Sequence, residues 1–353
     1  DDFGVRFADV NRDGLVDYLQ ALVVDYSVFN SVWLNNGQDF VESSIEIPRC
    51  RTSSYQDGCF VHNFDLIDHD NGVRLADVNG DGFVDIIKGF DGMSKVWINN
   101  FATNQGWLDS DWVVPECTTT GNRWLCFTTG DYKDNGVRIE DVNGDGLVDL
   151  IKSTYGLNKV YINNGHHTWI QDTSWVLPCT NDGAACFTEN DIDNGVRLED
   201  VNGDGLIDIL VAKAEGQNNG YTRAYINNGK DWTRDDAAWA TPDCNANTAA
   251  GCFTNASGVD KGVRFVDLNG DGMVDYIRTR KLDNGNGEQS IYMNKGYGWR
   301  QDNSWNITSC GPSPDTEKCF VDSNNYDMGV RILDLNGDGL ADAIDTKTGS
   351  PSA

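Results

Sequence analysis

One nine-residue loop, used six times, constrains this chain more than any other feature. Asp77-Val78-Asn79-Gly80-Asp81-Gly82-Phe83-Val84-Asp85 reads D-x-N-x-D-G-x-x-D, and the pattern returns at 9–17, 141–149, 200–208, 267–275 and 334–342. Each copy places oxygen-bearing side chains at positions 1, 3, 5 and 9 and glycine at position 6. A sequence that repeats itself every 59–68 residues is an array of one supersecondary unit, and the period decides the architecture before any single residue does.

The spacing suits a hard cation. Calcium takes six to eight oxygen ligands, and a short loop supplies them from alternate side chains plus a backbone carbonyl. The expected ligand sets are Asp9, Asn11, Asp13, the carbonyl of Leu15 and Asp17; Asp77, Asn79, Asp81, Phe83 and Asp85; Asp141, Asn143, Asp145, Leu147 and Asp149; Asp200, Asn202, Asp204, Leu206 and Asp208; Asp267, Asn269, Asp271, Met273 and Asp275; and Asp334, Asn336, Asp338, Leu340 and Asp342. Glycine at position 6 permits the sharp turn that a Cβ resists. Up to six Ca²⁺ are therefore expected. An EF-hand is excluded, because it needs an acidic residue at position 12 and flanking helices. Position 12 is Gln20, Lys88, Lys152, Val211, Arg278 and Asp345, and the flanks read as strands. The first copy departs from the others, with Arg12 where they carry glycine.

Around each loop the same parts recur. An apolar segment of the type Gly-Val-Arg-Leu-Ala-Asp enters the loop and a Val-Asp-Ile-Ile-Lys segment leaves it. A third segment ends in Asn-Asn or Asn-Lys, usually with glycine next, and a fourth begins near a tryptophan. Four short strands per repeat describe a propeller blade, so the expected fold is all-β: a β-propeller-like array of four-stranded blades with one calcium loop per blade. The repeats run approximately 4–71, 72–135, 136–194, 195–261 and 262–328, with a partial sixth at 329–353, in one repeat domain. The first strand shows little polar alternation, which predicts burial on both faces. Its recurring arginine (Arg6, Arg74, Arg138, Arg197, Arg264, Arg331) is expected to pair with a carboxylate in its own or the adjacent blade.

Ten cysteines fall as close pairs, one per repeat: Cys50 and Cys59, Cys117 and Cys126, Cys179 and Cys186, Cys244 and Cys252, Cys310 and Cys319. A pair recurring at one place in every repeat reads as a local disulfide and implies an oxidising compartment, secreted or at the cell surface. Zinc is the rival reading, but the four histidines do not recur with the cysteines. The sequons at Asn255 and Asn306 are candidate N-glycosylation sites. The net charge of −28, which six bound Ca²⁺ would reduce to −16, argues against nucleic acid and against anionic membranes. No run of about 18 apolar residues is present to insert in a bilayer.

These residues resemble the FG-GAP/VCBS repeat family, whose members include the propeller headpiece of integrin α subunits, some propeller lectins, and toxin-complex and Rhs-type propellers. The resemblance covers nearly the whole chain. It implies calcium in each loop, held by Asp9, Asn11, Asp13, Asp17 and their equivalents, and an extracellular role in adhesion or recognition. The Phe-Gly…Gly-Ala-Pro element that names the family is absent, and the cysteine pair is additional to its usual pattern.

Three functions follow as expectations. The first is a structural or adhesive extracellular module with a protein partner or self-assembly. The chain has six first-and-second strand pairs but five third-and-fourth pairs. Its last blade is therefore expected to be completed either by more of the same polypeptide or by a neighbour, through strand addition that builds a filament or coat. The alternative is a lectin, in which Trp107 and Trp112, Trp169 and Trp175, Trp232 and Trp239, and Trp299 and Trp305 would offer faces to sugars; their rival role is packing between blades. An enzyme is not expected. No nucleophile elbow or zinc-protease motif is present, and His62, His69, His166 and His167 read as surface residues of variable loops.

Overall fold

The computed structural model describes residues 3–24, 27–50, 58–63, 68–179, 185–216, 219–305, 310 and 318–345. The fold is an all-β propeller. Five sheets each hold four consecutive strands in the order fourth, third, second, first, all antiparallel. The second repeat is typical: Val73–Ala76, Asp85–Phe90, Met93–Asn99 and Trp107–Asp109. The sixth repeat contributes a two-stranded sheet, Val330–Leu333 with Asp342–Asp345.

The chain divides into two compact units. The first comprises 1–175 with 335–337, the second 176–334 with 338–353. In the first, the core gathers Leu19, Val32, Phe60, Ile86 and Trp97 around one blade and Ile87, Val96, Trp112, Phe127 and Leu150 around the next. In the second, Leu210, Ala224, Trp239, Phe253 and Tyr276 form the larger cluster, with Ile277, Ile291, Phe320 and Val330 beside it.

Burial follows strand position, though not as the sequence suggests. The second strand is the buried one: every residue of Asp85–Phe90 is inside. The first strands are only half-buried after their leading valine, as in Val73–Ala76. Their lack of polar alternation misled because the arginine among them lies along the surface rather than in the core. The fourth strands are shorter than expected. The segment 106–115 forms a strand only over Trp107–Asp109, and 39–48 only over Phe40–Glu42. The third strand of the first repeat is longer, Ser27–Asn35.

All five cysteine pairs are disulfides: Cys50–Cys59, Cys117–Cys126, Cys179–Cys186, Cys244–Cys252 and Cys310–Cys319. Each directs the residue after its second cysteine into the core. Phe60, Phe127 and Phe253 are fully buried there, and their amides donate to Ala21, Gly89 and Ala212 in second strands at 2.8–2.9 Å. The disulfide thus fixes where the chain returns to the blade before starting the next repeat.

Candidate functional site

The six loops share two hydrogen bonds, from the position-6 amide to the first aspartate and from the position-7 amide to the position-5 carboxylate. In the second, the Asp77 carboxylate accepts amides of Gly80, Asp81 and Gly82 at 2.8, 3.3 and 2.7 Å. Asn79 Oδ1 accepts the Asp81 amide at 2.9 Å, and Asn79 Nδ2 donates to Asp81 Oδ2 at 2.9 Å. Asp81 Oδ1 accepts the amide of Phe83 at 2.9 Å. Gly80 and Gly82 have φ of 74° and 85°, the left-handed region that glycine enters without strain. The side chains of positions 1, 3 and 5 therefore meet on one exposed turn.

Position 9 is placed differently. Asp85 is fully buried; its Oδ2 accepts the Val78 amide at 3.0 Å and its Oδ1 the Asn99 amide at 2.7 Å. Burial, as the largest influence, pushes the carboxyls of Asp85, Asp149 and Asp208 up to about 7 and those of Asp17 and Asp275 up to about 6. The two backbone donors oppose the rise, and the loop's own aspartates add to it. No cationic side chain is among the influences on these five groups.

This donor set fits a hard cation. The oxygens are carboxylate and carboxamide, the first aspartate's Oδ2 and both oxygens of the position-9 carboxylate each accept a single amide, and the charged side chains acting on the buried carboxylate are the loop's own aspartates. Among the described residues, no three histidine, cysteine, aspartate or glutamate side chains are gathered closely enough to hold a metal ion.

The asparagine ending the third strand does more than mark a turn. Asn99 Nδ2 donates to Val84 O in its own loop (3.0 Å) and to Val10 O in the preceding repeat's loop (2.9 Å). Asn163 repeats this with Val148 and Val78, at 3.2 and 2.8 Å, and Asn294 with Val274 and Val201, at 3.2 and 2.7 Å. Asn35 in the first repeat reaches Leu335 O in the sixth loop at 2.7 Å. The tryptophan opening the fourth strand holds the same carbonyl: Trp107, Trp169 and Trp232 donate from Nε1 to Val84, Val148 and Ile207 at 3.0–3.1 Å. Loop position 8 is thus gripped by two side chains, and position 2 by the next repeat's asparagine. Replacing buried Asn163 with alanine strands the Val78 carbonyl and frees the exposed Gly165 amide, which Asn163 Oδ1 accepts at 3.0 Å. A stranded buried group costs about 1–3 kcal/mol. The Asn163→Ala protein is expected to lose about 2 kcal/mol in denaturant unfolding, against under 1 kcal/mol for Asn164→Ala, whose half-buried side chain accepts the amide of exposed His166 on the turn.

The recurring arginines take carboxylates of their own repeat boundary. Arg74, Arg138, Arg197, Arg264 and Arg331 pair with Asp70, Asp134, Asp193, Asp260 and Asp327, four residues earlier, at 2.8–3.1 Å. Burial pushes Asp70, Asp134 and Asp327 up, but arginine charge and hydrogen bonds outweigh it and hold all three below the usual range. Arg6, Arg74, Arg197 and Arg264 also lie over Phe60, Phe127, Phe253 and Phe320 at 5.3–5.6 Å. The aspartate of this Asp-x-Gly-Val-Arg element escaped the sequence reading, although its fixed offset from arginine was visible.

Arg12 is explained by its neighbour. In the second, fourth and fifth loops the glycine at position 4 faces the position-7 side chain of the next loop, and a Cβ on Gly80 would stand 2.8 Å from Leu147 Cδ2. In the first loop Arg12 lies over Phe83, 5.8 Å from the ring centre, and donates to Asp81 O at 2.8 Å.

The tryptophans are chiefly interior. Of the eight read as possible sugar faces, Trp107, Trp112, Trp169, Trp232 and Trp239 are buried, Trp175 and Trp299 half-buried, and Trp305 is open to water at 37 % exposure. Two histidines also differ from expectation. His62 is buried and His69 half-buried, on paired strands rather than in loops, with the Tyr132 ring tilted 4.3 Å from that of His69. His166 and His167 are exposed. Asn255 Oδ1 accepts the amides of Ser257 and Val259 at 2.9 and 3.0 Å, bonds that leave Nδ2 out; Asn306 lies outside the described residues.

Comparison with known proteins agrees with this geometry. The FG-GAP-like repeat family model matches residues 200–278, from the loop at 200–208 through the loop at 267–275. A comparison with curated proteins finds no match. Among solved structures, an Agrocybe aegerita lectin, described as recognising non-reducing terminal N-acetylglucosamine, is similar at 17 % identity and a TM-score of 0.58, over 99 % of this chain and 78 % of that one. The Photorhabdus luminescens Tc holotoxin pore is similar at 15 % identity and a TM-score of 0.51, over 97 % of this chain and 13 % of that one. Both likenesses establish the propeller fold.

Proposed function

We propose that this protein is an extracellular, calcium-stiffened and disulfide-stapled recognition module that adheres to a partner or assembles with other subunits at a surface. The observation that carries the reading is the buried position-9 carboxylate, repeated in loop after loop and facing no cation of the protein itself. A divalent ion held by positions 1, 3 and 5, the position-7 carbonyl and this carboxylate would neutralise it. Five disulfides fit a compartment where such bonds persist. We infer no catalytic role. Equilibrium dialysis against calcium is expected to find about one ion per loop, with the loops joined by Arg12 the weakest. Uptake no greater than that of a protein with Asp77, Asp141 and Asp200 changed to alanine would overturn the reading.

A glycan is the second reading, favoured by one observation besides the lectin's likeness. Trp124, on the Cys117–Cys126 loop, is 43 % exposed, and Lys159 Nζ sits 4.4 Å from its ring centre. The ammonium pairs with Glu116 at 2.6 Å. An aromatic face beside a fixed ion pair suits a sugar ring and its hydroxyls. Retention on N-acetylglucosamine resin that Trp124→Ala abolishes would support it; equal retention of both proteins, or none, would remove it.

A further inference from the structure

We propose that Lys261, Arg278 and Arg280 of the fifth repeat form a binding site for a doubly charged tetrahedral oxyanion, sulfate or hydrogen phosphate. The starting point is a break in the repeat. The residue before the Gly-Val-Arg strand is asparagine in the second, third and fourth repeats: Asn71, Asn135 and Asn194. In the third and fourth its side chain answers a lysine of the second strand. Lys152 Nζ donates to Asn135 Oδ1 at 2.9 Å, and Lys213 Nζ donates to Asn194 Oδ1. In the fifth repeat the place of the asparagine is taken by Lys261, and the places of Lys152 and Lys213 by Arg278 and Arg280. An acceptor has become a third cation.

Arg278 stands where a charge is hardest to leave unanswered. It is 2 % exposed, and its Nη2 donates to Glu288 Oε2 at 3.1 Å. Its Nε and Nη1 are buried and have no acceptor among the described residues. Arg280 lies two residues along the same strand face. It donates from Nη2 to Ser323 O at 2.7 Å, and its buried Nε likewise has no acceptor there. The strand register sets Glu288 opposite Arg280. Burial, then the charges of Arg278 and Arg280, hold the Lys261 ammonium below the usual lysine range. Burial pushes Glu288 up, but the hydrogen bond and charge of Arg278, with the charges of Arg280 and Lys261, outweigh it. The four groups thus share one field, three positive charges against one negative. Among the described residues, Glu288 alone pairs with these cations. A buried charged donor without an acceptor is costly, and a dianion removes that cost while cancelling the residual charge. A tetrahedral oxyanion also offers several acceptor oxygens to guanidinium and ammonium donors at once. The chain as a whole is at −28, so the cluster is not part of a general basic face.

The inference needs neither calcium nor glycan binding, and chelator in the experiment keeps any metal from holding the anion. Equilibrium dialysis of the 353-residue chain against labelled sulfate is expected to show saturable uptake of about one ion per chain. Methyl sulfate, with a single charge, is expected to compete at least about tenfold more weakly. Lys261→Asn restores the residue that three other repeats carry at this place, so the variant is expected to fold. It should bind sulfate at least about tenfold more weakly. Glu288→Gln removes the competing carboxylate and should bind sulfate more tightly. No saturable uptake, uptake undiminished in Lys261→Asn, weaker uptake in Glu288→Gln, or methyl sulfate competing as well as sulfate overturns the proposal. The two substitutions act in opposite directions, so a loss of folding cannot mimic the expected result.

Discussion

Chelating divalent cations at pH 8 is expected to lower the melting temperature of this protein by about 10 °C, and at pH 5 by much less. The size follows from linkage. At ten times Kd a bound ion adds about 1.4 kcal/mol per site. The first unit holds the loops at 9–17, 77–85 and 141–149, so three ions contribute about 4 kcal/mol, or about 10 °C for a body of its length. The pH dependence follows from the position-9 carboxyls, raised from about 3.9 in the unfolded chain to about 6–7 in the ion-free fold. A group raised on folding binds its proton more tightly in the folded state. Its contribution is full below pH 4 and is lost as pH rises through 6–7. Ion-free protein should therefore melt higher at pH 5 than at pH 8. Calcium competes with that proton, so its stabilisation should grow over the same interval. The lowered Asp70, Asp134 and Asp327 do not interfere, since their contribution disappears only on acidification below about pH 4. Differential scanning calorimetry at both pH values, with calcium and with chelator, reads all four melting points. Chelation that leaves the pH 8 melting point unchanged would remove calcium as a structural ion.

What the sequence discloses here is what repeats through local chemistry. Asp77 to Asp85 can be read because every constraint on the loop lies within nine residues, and Cys117 pairs with Cys126 for the same reason. What escapes depends on contacts between repeats. Asn163 reads as part of an Asn-Asn-Gly turn signal, and its amide does bond locally to Gly165, but its essential partner is Val78 O, 85 residues away. Arg12 looks like a defect in the motif until Phe83 is found beneath it. His62 looks like a loop residue because the strand holding it, Val61–Asn63, is three residues long and pairs in parallel with the second strand of its own blade, a pairing with no local signature. The candidate site is legible in its ligands and illegible in its clamps.

Trp112→Ala is expected to destabilise the first unit by about 3–5 kcal/mol, the range for deleting a large buried aromatic side chain. Trp169 and Trp112 have separate tasks. Trp169 opens the fourth strand and ties Val148 O through its indole nitrogen. Trp112 lies beyond the strand, is fully buried, and rests 5.0 Å from Trp169 and 5.2 Å from His167 of the following repeat. Removing it empties the space between Val96, Leu125 and Leu150, which share its cluster and cannot close over a cavity of that size. Trp169→Phe keeps most of the ring and forfeits one hydrogen bond, so about 1 kcal/mol is expected there. A sugar platform predicts the opposite ranking of effects: loss of glycan binding with little change in stability. If urea unfolding of Trp112→Ala matches the unsubstituted protein within 1 kcal/mol, the indole is not a packing element, and the glycan reading regains the faces that burial denies it.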